Sequence, residues 1–221
     1  MASHLDLEEQ EQLAELKHFW KTYGNVISWV LIVILGGFAA WNGWQYWQRN
    51  QAAKASALFD EVEKSVLSQD VQRVERSMAD MKDKFPGTRY AHQAALLSAR
   101  VLLEKGKSEQ ARTWLAWSAE KAPDAAWRDL ARLRLAAVQW ETQSADEALK
   151  TLQSELGTDS AALAADLKGD LLMSKGQTKE AASSYRTAWK ALGEGHEYRR
   201  VVQAKLGALG EDPSAAPEVR Q

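Results

Sequence analysis

Hydrophobic positions along the chain fall into two regimes. From residue 22 to residue 48 there is no charged side chain. As a helix, such a run spans roughly 40 Å, and a bilayer's hydrocarbon core is about 30 Å thick. Residues 26–40 are dense in Val, Ile and Leu, and rings crowd both ends. Trp20 and Tyr23 precede this dense part; Trp41, Trp44, Tyr46 and Trp47 follow it. Amphipathic rings favour the headgroup level. Lys17 and Lys21 on one flank, and Arg49 and Lys54 on the other, can snorkel to water. The pattern predicts a transmembrane helix over residues 22–48. A buried core helix and a cleaved signal peptide are the alternatives. Gly37, Phe38 and Ala39 have the spacing of a cleavage site, but the run continues past them and the preceding segment is acidic.

Beyond residue 49 the pattern turns amphipathic with a helical period. Ala55, Phe59, Val62 and Val66 share a face, and Val71, Val74, Met78, Met81 and Phe85 repeat at 3-4 spacing. Pro86 and Gly87 break the chain, and Thr88 is placed to cap a helix over 89–105. Gly106 ends that helix, and Ser108 is expected to cap the next. Further helices are predicted over 125–142, 144–156, 159–175, 177–192 and 197–209, the last with Tyr198, Val202, Leu206 and Leu209 inward. No run alternates with period two long enough for a strand. Residues 1–21 read as a short acidic tail with some helical spacing, and 210–221 as a disordered tail.

Charge and composition narrow the function. The net charge is −2, with −3 in residues 1–21 and +1 in the rest, which leaves no basic face for nucleic acid. There is no cysteine, which removes disulfides, thiol nucleophiles and thiolate metal sites. Within the uncharged run, Gly36, Ala40 and Gly43 lie on one helix face, and Ala39 with Gly43 forms a second small pair. Small residues let membrane helices approach closely, so Gly36, Ala39, Ala40 and Gly43 are the candidate contact with a partner helix. The competing explanation is that Gly and Ala are common in such helices.

Paired helices with short breaks call for a search for repeats. Ala111, Ala148 and Ala181 align, followed four residues later by Leu115, Leu152 and Tyr185 and preceded by Ala99, Ala136 and Gly169. Gly106 and Gly176 occupy the same turn. ARVLLEKGKSEQARTWL and GDLLMSKGQTKEAASSY match, with LAAVQWETQSADEALKTL between them. Leu58, Val62, Val74, Met78, Met81 and Pro86 form an earlier, poorer copy. This resembles the tetratricopeptide repeat, in which small residues let two helices and the next repeat pack closely. Gln139 and Gln143 depart from the usual large residue and turn glycine of the middle copy. The fold class expected is all-α: one N-terminal transmembrane helix, then a tetratricopeptide-repeat-like α-solenoid over 49–209, its copies burying their apolar faces against each other.

Catalytic chemistry is hard to assemble. The histidines, His4, His18, His92 and His196, lack metal-binding spacing. No glycine-rich phosphate loop is present, and Ser65 and Ser98 have no identifiable base. Asp166 and Asp170 share a helix face that reads as solvated surface. No enzyme, cofactor or small-molecule substrate is expected. Trp114, Trp117, Trp127, Trp140 and Trp189 read mainly as packing residues. In the repeat register, Trp140 falls on the face that lines the concave groove, with Arg100, Leu103, Leu133, Asp166, Asp170 and Met173. These are the candidate protein-binding residues, and the alternative is ordinary surface or core. The Lys and Asn clamp for a peptide carboxylate is missing.

LEEQEQLAELKHFWKTYGN, the exit GWQYWQ and KFPGTRYA resemble the bacterial YfgM family over nearly the whole chain. The resemblance implies an ancillary subunit of the SecYEG translocon, single-pass in the inner membrane, with the tail of residues 1–21 in the cytoplasm and the repeats in the periplasm. It also implies a membrane-anchored peptidyl-prolyl isomerase chaperone of the PpiD type as partner, and a part in passing secreted chains onward. Lipid is the other expected contact. Flanking charge does not fix the orientation, since Lys17 and Lys21 face Arg49, Lys54 and Lys64 across the span. A cytoplasm-facing scaffold, or service to another envelope machine, is the alternative.

Overall fold

The computed structural model describes residues 7–142, 144–154 and 156–211. Among them are nine helices and no strand: α1 (Leu7–Leu67), α2 (Val71–Lys84), α3 (Arg89–Glu104), α4 (Ser108–Lys121), α5 (Ala125–Glu141), α6 (Ala145–Thr151), α7 (Thr158–Ser174), α8 (Thr178–Ala191) and α9 (Arg199–Ala208). The chain divides into two compact units, one ending at Gln51 and one beginning at Ala52.

The first unit is the long N-terminal part of α1. It is the one helix among the described residues long and apolar enough to cross a membrane. Only 6% of its most apolar window is buried, which removes the core-helix alternative. Val26, Ile34, Phe38 and Trp41 are all exposed. The polar side chains near its ends satisfy themselves locally: Thr22 Oγ1 donates to the His18 carbonyl at 2.9 Å and Asn42 Nδ2 to the Phe38 carbonyl at 2.8 Å.

The second unit is a stack of helix pairs. Its core is a chain of clusters that share helices. Ala55, Phe59 and Val62 of α1 meet Met78 and Met81 of α2 and Ala91, Ala94 and Ala95 of α3. Leu102 of α3 then meets Ala111 and Leu115 of α4 and Ala131 and Leu135 of α5. Ala136, Ala148 and Leu171 join α5, α6 and α7. Leu172, Ala181, Tyr185, Val202 and Leu206 close the stack through α7, α8 and α9. Val202 and Leu206 are fully buried, a gain of about 1.5–3 kcal/mol for each such side chain. The last helix thus covers the apolar end of the array, as the inward positions of the sequence required.

Local chemistry sets the breaks. Asp70 caps α2 by accepting from the Gln72 and Arg73 N–H groups at 3.0 and 3.2 Å. Thr88 Oγ1 accepts from Ala91 N–H at 3.3 Å and caps α3 as expected. Gly106 has φ +72 and Gly176 φ +74. At each, the next residue donates back across the turn, Lys107 to Leu102 at 2.7 Å and Gln177 to Leu172 at 2.9 Å. That is the bond of a left-handed helix cap, which glycine reaches without steric cost. Ser144 N–H donates to the Gln139 carbonyl at 2.8 Å in the corresponding place of the middle copy. Gln139 itself is tied down by Thr151, whose hydroxyl donates to its Oε1 at 2.8 Å.

Some expectations are corrected. Ser108 lies inside α4 and forms no cap; Lys107 holds the cap position without a side-chain bond. The sixth helix ends at Thr151 rather than 156. Beyond it, buried Asp129 of α5 accepts from Gly157 N–H at 2.8 Å and holds the start of α7 against α5. Of the tail expected from residue 210, Gly210 and Glu211 belong to the α9 cap. Glu211 donates its N–H to the Leu206 carbonyl at 3.0 Å, and Arg186 pairs with its carboxylate at 2.7 Å. Residues 212–221 and 1–6 lie outside the described residues.

Candidate interaction surface

The first helices of successive pairs, α3 and α5, leave a cleft of about 390 Å³ between them. Its floor is apolar, from Leu96, Ala99 and Val138. Arg100, Leu103 and Arg134 stand along its walls. Arg100 is exposed and turned along its own helix, with Nε donating to Glu104 at 3.0 Å. Leu103 packs partly against the α3–α4–α5 core. Arg100 and Leu103 are therefore brought together at an open surface.

The remaining groove candidates are not in that cleft. Leu133 and Trp140 pack on the α5–α6–α7 cluster, which makes them seam residues between repeats. Met173 is exposed on α7. Asp166 is 3% exposed, so the reading of Asp166 and Asp170 as an open, solvated face is corrected. Helix α9 lies over them. Lys205 Nζ donates to both Asp166 oxygens and to Asp170 at 2.8 Å. The Tyr198 hydroxyl donates to Asp166 at 2.7 Å, and the Tyr185 hydroxyl to Asp170 at 2.7 Å.

This network has an electrostatic logic. Two carboxylates at i and i+4 on one helix repel, and burial raises the cost of both charges. Lys205 and two phenols supply the missing donors. Burial opposes the Lys205 charge, but hydrogen bonds to Asp166 and Asp170 outweigh it and hold the ammonium above its ordinary range. Burial, followed by donation to a carboxylate, raises both tyrosines well above the usual phenol range. Lys205, Tyr185 and Tyr198 therefore keep one protonation state at neutral pH. Their role is to latch α9 onto α7 and α8, not to move protons.

A second buried polar group lies at the other end of the stack. His92 is fully buried. Its ring stacks on Trp117 at 4.4 Å between centroids, and Nε2 lies 3.1 Å from the Pro86 carbonyl. Nδ1 has no partner among the described residues. Burial depresses its basicity, partly offset by the Pro86 contact. The ring thus fastens the Pro86 turn to α3 as a neutral donor. Among the described residues no three His, Cys, Asp or Glu side chains gather to hold a metal.

The five tryptophans of the repeat unit all pack at cluster edges. On the apolar helix, a Cβ added at Gly36 or Gly43 would meet nothing within 4 Å, and the face carrying Gly36, Ala39, Ala40 and Gly43 is exposed. The sequence reading missed Asp129, whose partner lies 28 residues away, and Lys205, which had no signal beyond its place on the last helix.

Comparison with known proteins places this architecture. A family model described as a tetratricopeptide repeat-like domain matches residues 17–211. A Haemophilus influenzae protein named ancillary SecYEG translocon subunit is 32% identical over 182 residues, 82% of this chain and 89% of the relative. A Neisseria gonorrhoeae protein of the same name is 28% identical over 210 residues, 95% of this chain and 100% of the relative. One from Escherichia coli K12 is 30% identical over 189 residues, 83% of this chain and 86% of the relative. The match takes in both the apolar helix and the stacked pairs, and the chain belongs to the tetratricopeptide-repeat-like YfgM family that these relatives represent.

Proposed function

We propose that the protein is a non-enzymatic adaptor of the SecYEG translocon, anchored in the bacterial inner membrane by α1. The observation that carries this reading is that relatives named for that complex align with the chain through the apolar helix and the repeat unit together. An adaptor of this kind needs an anchor and a binding surface. The exposed apolar helix and the α3–α5 cleft are suited to those tasks.

The finer reading follows the family. The repeat unit stands in the periplasm, residues 1–21 in the cytoplasm, and the protein works with a PpiD-type membrane-anchored isomerase to pass secreted chains onward. The face of α1 carrying Gly36, Ala39, Ala40 and Gly43 is offered to a partner helix, because small side chains permit close approach in lipid. Arg100, Leu103, Leu133, Trp140, Asp166, Asp170 and Met173 divide by setting. Arg100, Leu103 and Met173 are available to a partner, while the others hold the stack.

The test is affinity purification of the intact protein from inner membranes in a mild detergent. SecYEG subunits retained well above an unrelated single-pass control support the adaptor reading. Their absence, with the protein itself recovered intact, contradicts it. Protease added to spheroplasts tests the orientation. Digestion of the repeat unit before lysis supports a periplasmic unit, and survival until lysis contradicts it.

A further inference from the structure

Lysines close most helices of this chain at their C-terminal ends. Lys64 of α1, Lys84 of α2, Lys121 of α4, Lys150 of α6, Lys190 of α8 and Lys205 of α9 each sit in a last turn. That placement offsets the negative end of the helix dipole. Helices α3 and α5 break the pattern. Neither has a basic residue in its last turn, and each ends on a glutamate, Glu104 and Glu141. Helix α7 lacks a basic last turn too, but ends on Ser174 rather than an acid. Lys105, at the cap of α3, is turned away and donates to Gln69 Oε1 at 2.9 Å. Glu104 and Glu141 stand five residues after the aligned alanines Ala99 and Ala136, so they hold the same place in successive repeats.

Both glutamates line the α3–α5 cleft, and the rest of its wall gives the cleft two unlike ends. Helix α4 packs back along both α3 and α5, so α3 and α5 run in the same direction. Arg100 lies one turn before Glu104, and Arg134 two turns before Glu141. The two guanidiniums therefore gather toward one end and the two carboxylates at the other, with Leu103 and Val138 between them. Arg100 and Glu104 touch at 3.0 Å, but their side chains are 74% and 43% exposed. An exposed pair of this kind is weak, and base before acid is the poorer order along a helix. Arg134 and Glu141 are exposed and stand about 10 Å apart along α5.

Within the chain the acidic end is unfavourable, because two carboxylates face one cleft at the negative ends of two helices. A cation supplied from outside relieves that repulsion, and an anion is favoured at the arginine end. Between the ends, the apolar floor would be taken out of water by a large apolar side chain. An anionic bilayer surface or another polyanion would meet the glutamates, and a purely basic segment would meet the arginines. We infer that the cleft binds a polypeptide segment carrying a large apolar side chain between one acidic and one basic residue. The apolar group lies on Leu103 and Val138, the acid at Arg100 and Arg134, and the base at Glu104 and Glu141. The inference rests on the reading of this cleft as the partner surface, and gives that partner a chemistry. Alternate residues of an extended segment share a face, so Glu-Ser-Leu-Ser-Lys presents all three groups on one side.

The experiment uses the full chain in nanodiscs of neutral lipid with ¹³C in its Leu and Val methyl groups. Leu103→Met and Val138→Ile assign the two cleft signals by their loss. The probes are the capped Glu-Ser-Leu-Ser-Lys peptide, the same peptide with Ser for Leu, and Leu peptides with Glu at both ends or Lys at both ends. The mixed peptide should move both signals along a saturating curve. The Ser peptide and each like-charged peptide should bind about fivefold more weakly or worse. Glu141→Lys, at an exposed position, should weaken the mixed peptide and make the two-Glu peptide the tighter binder, with the melting temperature level or raised. Equal binding of mixed and like-charged peptides, or of the Leu and Ser peptides, overturns the inference. So does the lack of a saturating shift at millimolar peptide, or an unchanged preference in Glu141→Lys. Retention of SecYEG by a chain without peptide preference overturns the inference and keeps the adaptor reading. Peptide preference without SecYEG retention does the reverse.

Discussion

The ring of Tyr185 fills the space that a side chain at Gly169 would need. A Cβ built on Gly169 would overlap the ring, at 2.9 Å from Cζ and nearer still to its edge carbons. This pair is a close contact between α7 and α8, and it fits the repeat register of the last copy. Gly169→Ala gains helix propensity of about 0.5–1 kcal/mol but forces the ring to move, at about 1–3 kcal/mol. Gly207 of α9 has open space around it and keeps only the gain. Denaturation of the two variants should therefore move in opposite directions, Gly169→Ala down and Gly207→Ala level or up. A stabilised Gly169→Ala would show that the register is misplaced.

The α9 latch predicts a coupling rather than a single large loss. Asp166 and Lys205 contact directly, and each has a further partner, Tyr198 donating to Asp166 and Lys205 donating to Asp170. A double-mutant cycle with Asp166→Ala and Lys205→Ala should give an interaction energy of about 0.5–3 kcal/mol. Lys205 keeps partial solvent exposure, which places the value in the lower part of that range. Additive effects would mean that the ion pair does not hold the helix. Because the Lys205 pKa is raised on folding, its contribution is fully present below the unfolded pKa of about 10.4. It is lost only as pH rises through the folded value, so it should be flat across neutral pH.

His92 predicts the opposite sign. Its folded pKa is depressed, first by burial. The unfolded chain then binds the proton more readily than the folded one. Stability from this residue is present above about pH 6.5 and is lost as pH falls from there toward the folded pKa. The slope cannot exceed about 1.4 kcal/mol per pH unit for one group. Denaturation midpoints at pH 7.5 and 5.5 measure it. The parent should lose more stability over that interval than His92→Gln, and equal losses would show that the ring is not kept neutral by the fold.

Much of this architecture was legible in the sequence because its causes are local. The uncharged run, the 3-4 stripes and the turn glycines at 106 and 176 each act within a few residues. The repeat alignment of Ala111, Ala148 and Ala181 follows from the same small-residue packing, and all three are fully buried. What was missed rests on distant pairs. Asp129 holds the start of α7 through Gly157, and Lys205 converts an apparent surface carboxylate pair into the α9 latch. The groove face was read from a repeat that continues; at Asp166 and Asp170 the capping helix occupies it. Leu133 and Trp140 left the face because the seam between repeats absorbs large apolar side chains.

Association with the translocon is tested most directly by contact in living cells. A photoreactive amino acid placed singly at positions 26–47 of α1 reports which proteins touch the apolar helix. The account predicts adducts to SecYEG subunits that recur with a helical period, strongest near Gly36, Ala40 and Gly43. SecYEG adducts absent from every position, while the same probes crosslink efficiently to other membrane proteins, would contradict it.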